Sequence, residues 1–213
     1  MKSDKLTFFL CYNRFMTKVI GLTGGIATGK STATAFLETQ NCEIIDADKV
    51  VRELQLPDGI LSKQIKQIFG ADFFDEKGQL IREKLSQLIL ADEKARFQLE
   101  KLQDEIIRKE LYARRDKLIE QGSEIIIMDI PLLFEREYTG FDEIWLIYVP
   151  ENEEIKRLMN RNAITKEKAE SLIALQWSIE KKKDLAHRVF DNSKRPENLE
   201  EELKKALNEI ERK

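Results

Sequence analysis

The sequence has 213 residues, a formal net charge of −3, 42% hydrophobic residues and 35% charged residues. A chain of this length can build one sizeable core, or a core with small appended lobes. The small net charge excludes nucleic-acid binding driven by the charge of the whole molecule, and no apolar run is long enough to cross a bilayer. Cys11 and Cys42 are the only cysteines, which favours two free thiols in a reducing cytoplasm over a disulfide bridge between them.

Residues 1–15 are interpreted as an N-terminal extension. Leu6 to Leu10 superficially resembles the apolar part of a signal peptide, but this run is short and no small-residue cleavage site follows it. Met16-Thr17-Lys18-Val19 is typical of a natural start that leads directly into a first strand.

The first strand and helix of the chain flank a phosphate-binding motif. Val19 to Leu22 is an apolar run that predicts a strand covered on both faces, and Ser31 to Glu38 predicts a helix. Between them the sequence Gly24-Gly25-Ile26-Ala27-Thr28-Gly29-Lys30-Ser31 matches G-x-x-x-x-G-K-[ST] without substitution, and Thr32 follows. Backbone N–H groups of such a P-loop bind nucleotide phosphates at the positive end of the helix. Lys30 is expected to contact the β- and γ-phosphates of ATP, and the Ser31 hydroxyl is expected to bind Mg²⁺.

Two aspartates follow the second predicted strand, Glu43 to Ile45. If the extended geometry continues past the strand end, Asp46 and Asp48 point to the same side. One is then placed to accept a proton from an acceptor hydroxyl while the other orients substrate or metal-bound water. The alternative is that Asp48 caps the helix that begins at Lys49.

Residues 59–120 are predicted to be almost entirely helical. Apolar residues recur at helical spacing in three stretches, and the longest runs from Asp92 to about Glu120. Gly70 is a plausible helix end. Because this block lies between two strands, we interpret it as an insertion on the sheet.

The third predicted strand, Ile125 to Asp129, ends in a carboxylate. Four apolar residues precede Asp129, as is typical of the aspartate that contacts Mg²⁺ in nucleotide-binding proteins. The alternative is that Asp129 is a strand-end carboxylate that only holds the loop that carries Lys30.

A fourth strand, Glu143 to Val149, is followed by a helix that begins at Pro150. Arg157 and Arg161 share one face of this helix and suit a lid that closes over ATP. Pairing of Arg157 with Glu153 on a solvated face explains the pattern equally well. Thr165 is expected to cap one further helix to about Leu185, in which Lys181-Lys182-Lys183 is interpreted as a solvated charge run.

The chain ends with a short strand and an amphipathic helix. Arg188 to Phe190 predicts the fifth strand, with His187 beside it as a packing or surface residue, and Pro196 to Lys213 predicts the last helix. Alternating strands and helices predict a three-layer α/β fold with a five-stranded parallel sheet. The P-loop, Asp46, Asp48 and Asp129 then meet at the carboxyl edge of this sheet.

These motifs together resemble the dephospho-CoA kinase family. The resemblance rests on the Thr23-Gly24-Gly25-Ile26 loop, Ile45-Asp46-Ala47-Asp48, Gly78 to Arg82, Asp129 to Glu135, and later Arg157, Arg161, Gln176 and Asp191-Asn192. It implies a P-loop kinase fold and the ATP-dependent phosphorylation of the ribose 3′-hydroxyl of dephospho-CoA, which gives CoA and ADP.

The resemblance also implies a division of the chain and roles for single residues. The nucleotide core comprises residues 16–56, 121–150 and 186–213, the helical CoA-binding insertion comprises residues 57–120, and the lid comprises residues 151–185. Asp48 resembles the catalytic base, Arg82 and Arg161 resemble phosphate-binding residues of the substrate and lid sides, and Thr23 lies near the acceptor. We favour a monomer.

Two positions differ from the family pattern. Asp104-Glu105 replaces a His-Pro pair, and Ala186-His187 replaces an Ala-Asp pair. Two other functions remain open from the sequence alone: another nucleoside or nucleotide kinase on the same scaffold, and a regulator that binds ATP without transferring phosphate.

Overall fold

A five-stranded parallel sheet organises the chain. The computed structural model describes residues 17–211, and the extension predicted for residues 1–15 lies outside them. In chain order the strands are β1 (Lys18–Gly24), β2 (Glu43–Asp46), β3 (Ile125–Asp129), β4 (Glu143–Tyr148) and β5 (Arg188–Asp191). Their order across the sheet is β2-β3-β1-β4-β5, so β1 lies between β3 and β4. The predicted α/β fold with five parallel strands is therefore confirmed.

The register of the central strands brings two predicted motifs to one edge of the sheet. Leu22 lies opposite Asp129 of β3, and Thr23 lies opposite Leu146 of β4. Every residue of β3 is buried, as its apolar sequence predicts. Because parallel strands end at the same edge, the turn after β1 and Asp129 are neighbours there.

Helices occupy most of the connections between the strands. Their bounds are α1 Lys30–Glu38, α2 Ala47–Leu54, α3 Ile60–Phe69, α4 Arg82–Ala91, α5 Glu93–Glu120, α6 Glu151–Asn162, α7 Lys166–Ile173, α8 Ile179–Leu185 and α9 Pro196–Glu211, with a 3₁₀ turn at Ala71–Phe73. Between residues 17 and 211, no helix combines the length and the apolar character that a membrane span requires.

The chain forms two compact units, and one of them contains most of the sheet. This unit consists of the described residues up to Ile45 and those from Lys117 onward. Trp145, predicted to be a core residue, has no exposed area and packs against Phe190 at a ring-centroid distance of 5.0 Å. The apolar face of α9 completes this core with Leu199, Leu203, Leu207 and Ile210, as predicted.

The second compact unit, Asp46–Asp116, is almost entirely helical. Among its buried apolar residues, those that lie in the predicted apolar stripes are Leu61, Ile65, Leu85, Leu99 and Leu111. The prediction that Gly70 ends a helix is confirmed, because this glycine follows α3 with a φ of 101°. A side chain is strained in that left-handed region, and glycine is not.

The prediction of one long helix after Thr165 is wrong. The single helix expected from Thr165 to about Leu185 is two helices, α7 and α8, with a break between Ile173 and Ile179. Thr165 caps α7 as predicted, but Ser178 caps α8 by accepting a hydrogen bond from the Lys181 N–H. This second cap satisfies the first N–H groups of a separate helix.

Candidate active site

The P-loop forms the turn between β1 and α1 that its sequence predicts. Gly29 precedes α1 with a φ of 90°, and Ala27 is also left-handed with a φ of 62°. A Cβ atom on Gly29 would additionally clash with the side-chain amide of Asn192, so two constraints require glycine there. The buried Thr28 hydroxyl donates to the Gly25 carbonyl at 3.1 Å and closes the loop on itself.

The helix that follows the loop has an N-terminus suited to an anion. No side chain caps α1, so its first N–H groups are not occupied by a hydroxyl or carboxylate. Ser31 and Thr32 are exposed at this end, where the helix dipole is positive. The arrangement can bind a phosphate group, as the motif predicts.

Lys30 and Asp129 form an ion pair across the sheet edge. The Lys30 ammonium contacts Asp129 Oδ1, and the Thr34 hydroxyl donates to Asp129 Oδ2 at 2.9 Å. The structure thus brings the predicted lysine and carboxylate together. In this arrangement Asp129 holds the Lys30 side chain, which was one of its two predicted roles. Thr34 was not predicted, although it lies one helical turn after Lys30 on α1.

Thr23 lies at the end of β1 and is completely buried. Its hydroxyl donates to the Pro131 carbonyl at 3.1 Å, in the loop that follows β3. The side chain therefore joins two segments at the sheet edge in this structure. Its predicted contact with the acceptor stays a prediction.

Arg157 and Arg161 differ in their surroundings, although they lie on one face of α6. Arg157 pairs with Glu153 at 2.9 Å and donates to the Asn192 carbonyl at 2.8 Å. The Asn192 amide in turn donates to the Thr28 carbonyl at 2.8 Å, so Arg157 supports the P-loop through Asn192, the residue after β5. Arg161 is exposed and donates to the Asn162 side chain, and its role on the lid side stays a prediction.

Lys182 contradicts the prediction that Lys181-Lys182-Lys183 is a solvated run. Its side chain is completely buried, whereas its two neighbours are exposed. The Lys182 ammonium forms an ion pair with Glu135 Oε1 at 2.9 Å and donates to the Pro131 carbonyl at 3.2 Å. One signal was available in the sequence: Lys182 follows Ile179 by three residues, which puts it on the apolar face of α8.

Glu154 is a second buried charge that sequence reasoning missed. It is 2% exposed on α6, and its carboxylate lies so close to the P-loop that a Cβ atom on Gly25 would clash with it. Burial raises the pKa of Glu154 to about 7, and the charge of Glu151 also raises it. The Lys182 charge and a hydrogen bond from the Ile26 N–H oppose this shift in the pKa.

The second unit carries the remaining predicted site residues. The helix α2 begins at Ala47, so Asp46 and Asp48 do not continue an extended strand, and the expectation that they point the same way does not apply. Asp46, rather than Asp48, caps this helix by accepting from the Lys49 N–H at 2.9 Å. Asp48 is exposed in the first turn, and the exposed Arg82 guanidinium donates to Gln55 at 2.8 Å.

The two positions that depart from the family pattern have local partners. Asp104 pairs with Arg108 one turn later on α5 at 3.1 Å. His187 Nδ1 accepts a hydrogen bond from the Ile144 N–H at 3.1 Å, and the His187 N–H donates to the Ile144 carbonyl. His187 therefore extends the pairing of β4 with β5 as an exposed residue, in agreement with the predicted surface position.

Comparison with known proteins agrees with this site. The family model described as Dephospho-CoA kinase matches residues 18–198. A dephospho-CoA kinase of Lactococcus lactis is 46% identical over 213 residues, which cover 91% of this chain and 98% of that protein. One of Streptococcus pneumoniae is 48% identical over 179 residues, which cover 84% of this chain and 89% of that protein.

Solved structures share the fold. A Thermus thermophilus protein has a TM-score of 0.75 at 27% identity, over 91% of this chain and 97% of that chain. The Campylobacter jejuni dephospho-CoA kinase has a TM-score of 0.62 at 22% identity, over 93% of this chain and 100% of that chain. The family model and the curated relatives each span most of the chain, and the range matched by the family model includes the P-loop and the Asp129 strand. The chain therefore belongs to the dephospho-CoA kinase family of phosphotransferases.

Proposed function

We propose that the protein transfers the γ-phosphoryl group of ATP to the ribose 3′-hydroxyl of dephospho-CoA, giving CoA and ADP in the last step of CoA biosynthesis. The observation that carries this proposal is an intact P-loop, with Lys30 paired to Asp129, in a chain matched over residues 18–198 by the dephospho-CoA kinase family model. Membership of this family implies a kinase that uses ATP.

On the nucleotide side, the backbone from Gly24 to Thr32 binds the phosphates, and Lys30 moves from Asp129 to the β- and γ-phosphates. The Ser31 hydroxyl and the released Asp129 carboxylate are oxygen donors of the kind that Mg²⁺ prefers. Within residues 17–211 there is no cluster of three or more His, Cys, Asp or Glu residues that could hold a metal ion. This donor set fits a Mg²⁺ ion that is bound partly by the nucleotide. Such an ion would neutralise phosphate charge.

On the acceptor side, Asp48 accepts the proton of the 3′-hydroxyl as the oxygen attacks the γ-phosphorus. Its exposure in the first turn of α2 leaves the carboxylate accessible to a substrate. Asp46, Arg82 and Thr23 are assigned to substrate binding, and Arg161 to the migrating phosphate charge from the lid. The division into core, insertion (57–120) and lid (151–185), the cytoplasmic location and the monomeric state belong to the same proposal.

An acceptor panel tests the function. Purified protein with Mg²⁺ and ATP is expected to release ADP when dephospho-CoA is added, and not with adenosine, nucleoside monophosphates or sugars. Coupled ADP detection measures the rate, and mass spectrometry of the product identifies the phosphorylated hydroxyl. Preference for another acceptor would indicate a different small-molecule kinase, and ATP binding without turnover on any acceptor would indicate a non-catalytic ATP-binding protein.

The variant Asp48→Asn tests the proposed base. We expect kcat to fall by about 10²–10⁴-fold, because the amide cannot accept the acceptor proton, while ATP affinity stays at the wild-type value. Asp58→Asn is the matched control, since Asp58 is an exposed aspartate of the same unit outside the proposed site. Unchanged turnover in Asp48→Asn would assign the base to another residue.

A further inference from the structure

Lys182 is a completely buried charged residue, and the function described so far does not explain its burial. Four oxygen atoms lie within 3.5 Å of its ammonium group: Glu135 Oε1 at 2.9 Å, the Pro131 carbonyl at 3.2 Å, and the Gly24 carbonyl and Gln176 Oε1 at 3.5 Å. An ammonium group has only three N–H donors, so these oxygens fully replace its hydration. A buried lysine is costly unless it is paired and hydrogen-bonded in this way.

The contacts of Lys182 connect three segments of the site. Gly24 ends β1 and opens the P-loop, Pro131 and Glu135 belong to the loop after β3, and Lys182 itself lies on α8. Glu135 Oε1 also accepts from the Trp177 N–H at 3.0 Å, just before α8. The ammonium therefore links the Gly24 carbonyl, at which the P-loop begins, to the loop after β3.

The Lys182 charge offsets that of a nearby buried carboxylate. Glu135 Oε2 is buried, and the structure gives it no hydrogen-bond partner among residues 17–211. Glu154, whose carboxylate lies against Gly25, also experiences the Lys182 charge. Lys182 thus pairs directly with Glu135, and its charge also acts on the carboxyl group that contacts the P-loop at Gly25.

We propose that Lys182 is a positioning residue for ATP: by holding the Gly24 carbonyl and the loop after β3 together, it preorganises the P-loop for the phosphates. The role is indirect, because the Lys182 side chain is completely buried among protein groups. Its test by turnover rests on the proposed function, because turnover requires the correct acceptor. Its test by ATP binding does not. Lys181 and Lys183, the exposed neighbours, have no such role.

The test compares Lys182→Met with the control Lys183→Met. Methionine keeps the length of the side chain and removes the charge, and Lys183 lies on the same helix with its side chain 43% exposed. We expect Lys182→Met to bind ATP about tenfold more weakly, as loss of a charged hydrogen bond predicts, and to lower kcat/KM for ATP by up to about 10²-fold. The KM for dephospho-CoA and all constants of Lys183→Met are expected to stay at wild-type values.

The double variant Lys182→Met/Glu135→Gln separates positioning from stability. It removes the carboxylate that Lys182→Met leaves buried without a cation, so its melting temperature is expected to return toward the wild-type value. ATP affinity, measured by calorimetry without an acceptor, is expected to stay low, because the Gly24 carbonyl is still not held. Full recovery of ATP affinity together with stability would overturn the proposal and assign Lys182 a purely structural role.

The two proposals fail in different ways. If the wild-type protein does not phosphorylate dephospho-CoA, the proposed function fails, and the ATP affinities still test Lys182. If dephospho-CoA is phosphorylated and both Lys182 variants bind ATP as tightly as the wild type, only the inference about Lys182 fails.

Discussion

At the scale of single residues, burial decides how a charged side chain acts at this site. Lys182 and Glu154 are both charged residue types, and both contact the P-loop region with almost no exposed area. Glu154 accepts from the Ile26 N–H and lies against Gly25, so its state of protonation is coupled to the loop. In both cases the buried environment, and not the residue type, determines the role.

The variant Glu154→Gln tests the protonation of this carboxyl. Because burial raises the pKa of Glu154 from 4.5 to about 7, the folded protein holds a proton that the unfolded chain releases. The resulting stabilisation is complete below the unfolded pKa and is lost as the pH rises through 7. We expect the free energy of unfolding of the wild type to fall relative to Glu154→Gln between about pH 5 and pH 8.

Urea denaturation across this pH range measures the difference between the two proteins. Glu200→Gln is the matched control, because Glu200 is exposed on α9, and its stability should follow that of the wild type at every pH. Parallel curves for Glu154→Gln and the wild type would show that Glu154 does not titrate in this range.

At the scale of elements, the break between α7 and α8 shows the limit of periodicity. The sequence predicted one helix through this segment, although Thr165 and Ser178 are both good N-cap residues. A pattern of side chains does not show whether the backbone between them bends. Here the bend is held by the hydrogen bond from the Trp177 N–H to Glu135, a residue distant in sequence.

The variant Ser178→Ala tests the cap that begins α8. Loss of the hydrogen bond from the Lys181 N–H is expected to lower the free energy of unfolding by about 1 kcal/mol. Ser171→Ala is the control, since Ser171 is exposed within α7 and its hydroxyl donates to the Glu167 carbonyl one turn earlier. Chemical denaturation should show a change of less than about 0.5 kcal/mol for this control. Equal effects of the two substitutions would contradict a capping role for Ser178.

At the scale of the whole molecule, the sequence predicted the sheet better than the site. All five strands occur where apolar runs predicted them, and the P-loop turn follows from its glycines. The apolar stripe of α9 was also predictable, because Leu199, Leu203 and Leu207 recur at helical spacing. These features depend on neighbours along the chain, which a sequence displays directly.

The support of the P-loop was less predictable, because it depends on residues far apart in the sequence. Asn192 and Thr28 are 164 positions apart, and Lys182 and Gly24 are 158 positions apart. No local pattern distinguishes Lys182 from its exposed neighbours except its spacing from Ile179.

The sequence by itself determined the alternation of strands and helices, the phosphate-binding turn and the family, because each is encoded in short contiguous motifs. Only the tertiary structure decided which charges are buried and which partners they have. Lys30 pairs with Asp129, Arg157 donates to the Asn192 carbonyl, and Lys182 pairs with Glu135. The physical reason is that hydrophobic periodicity is a local property of the chain, whereas desolvation and pairing of a charge depend on every segment that packs around it.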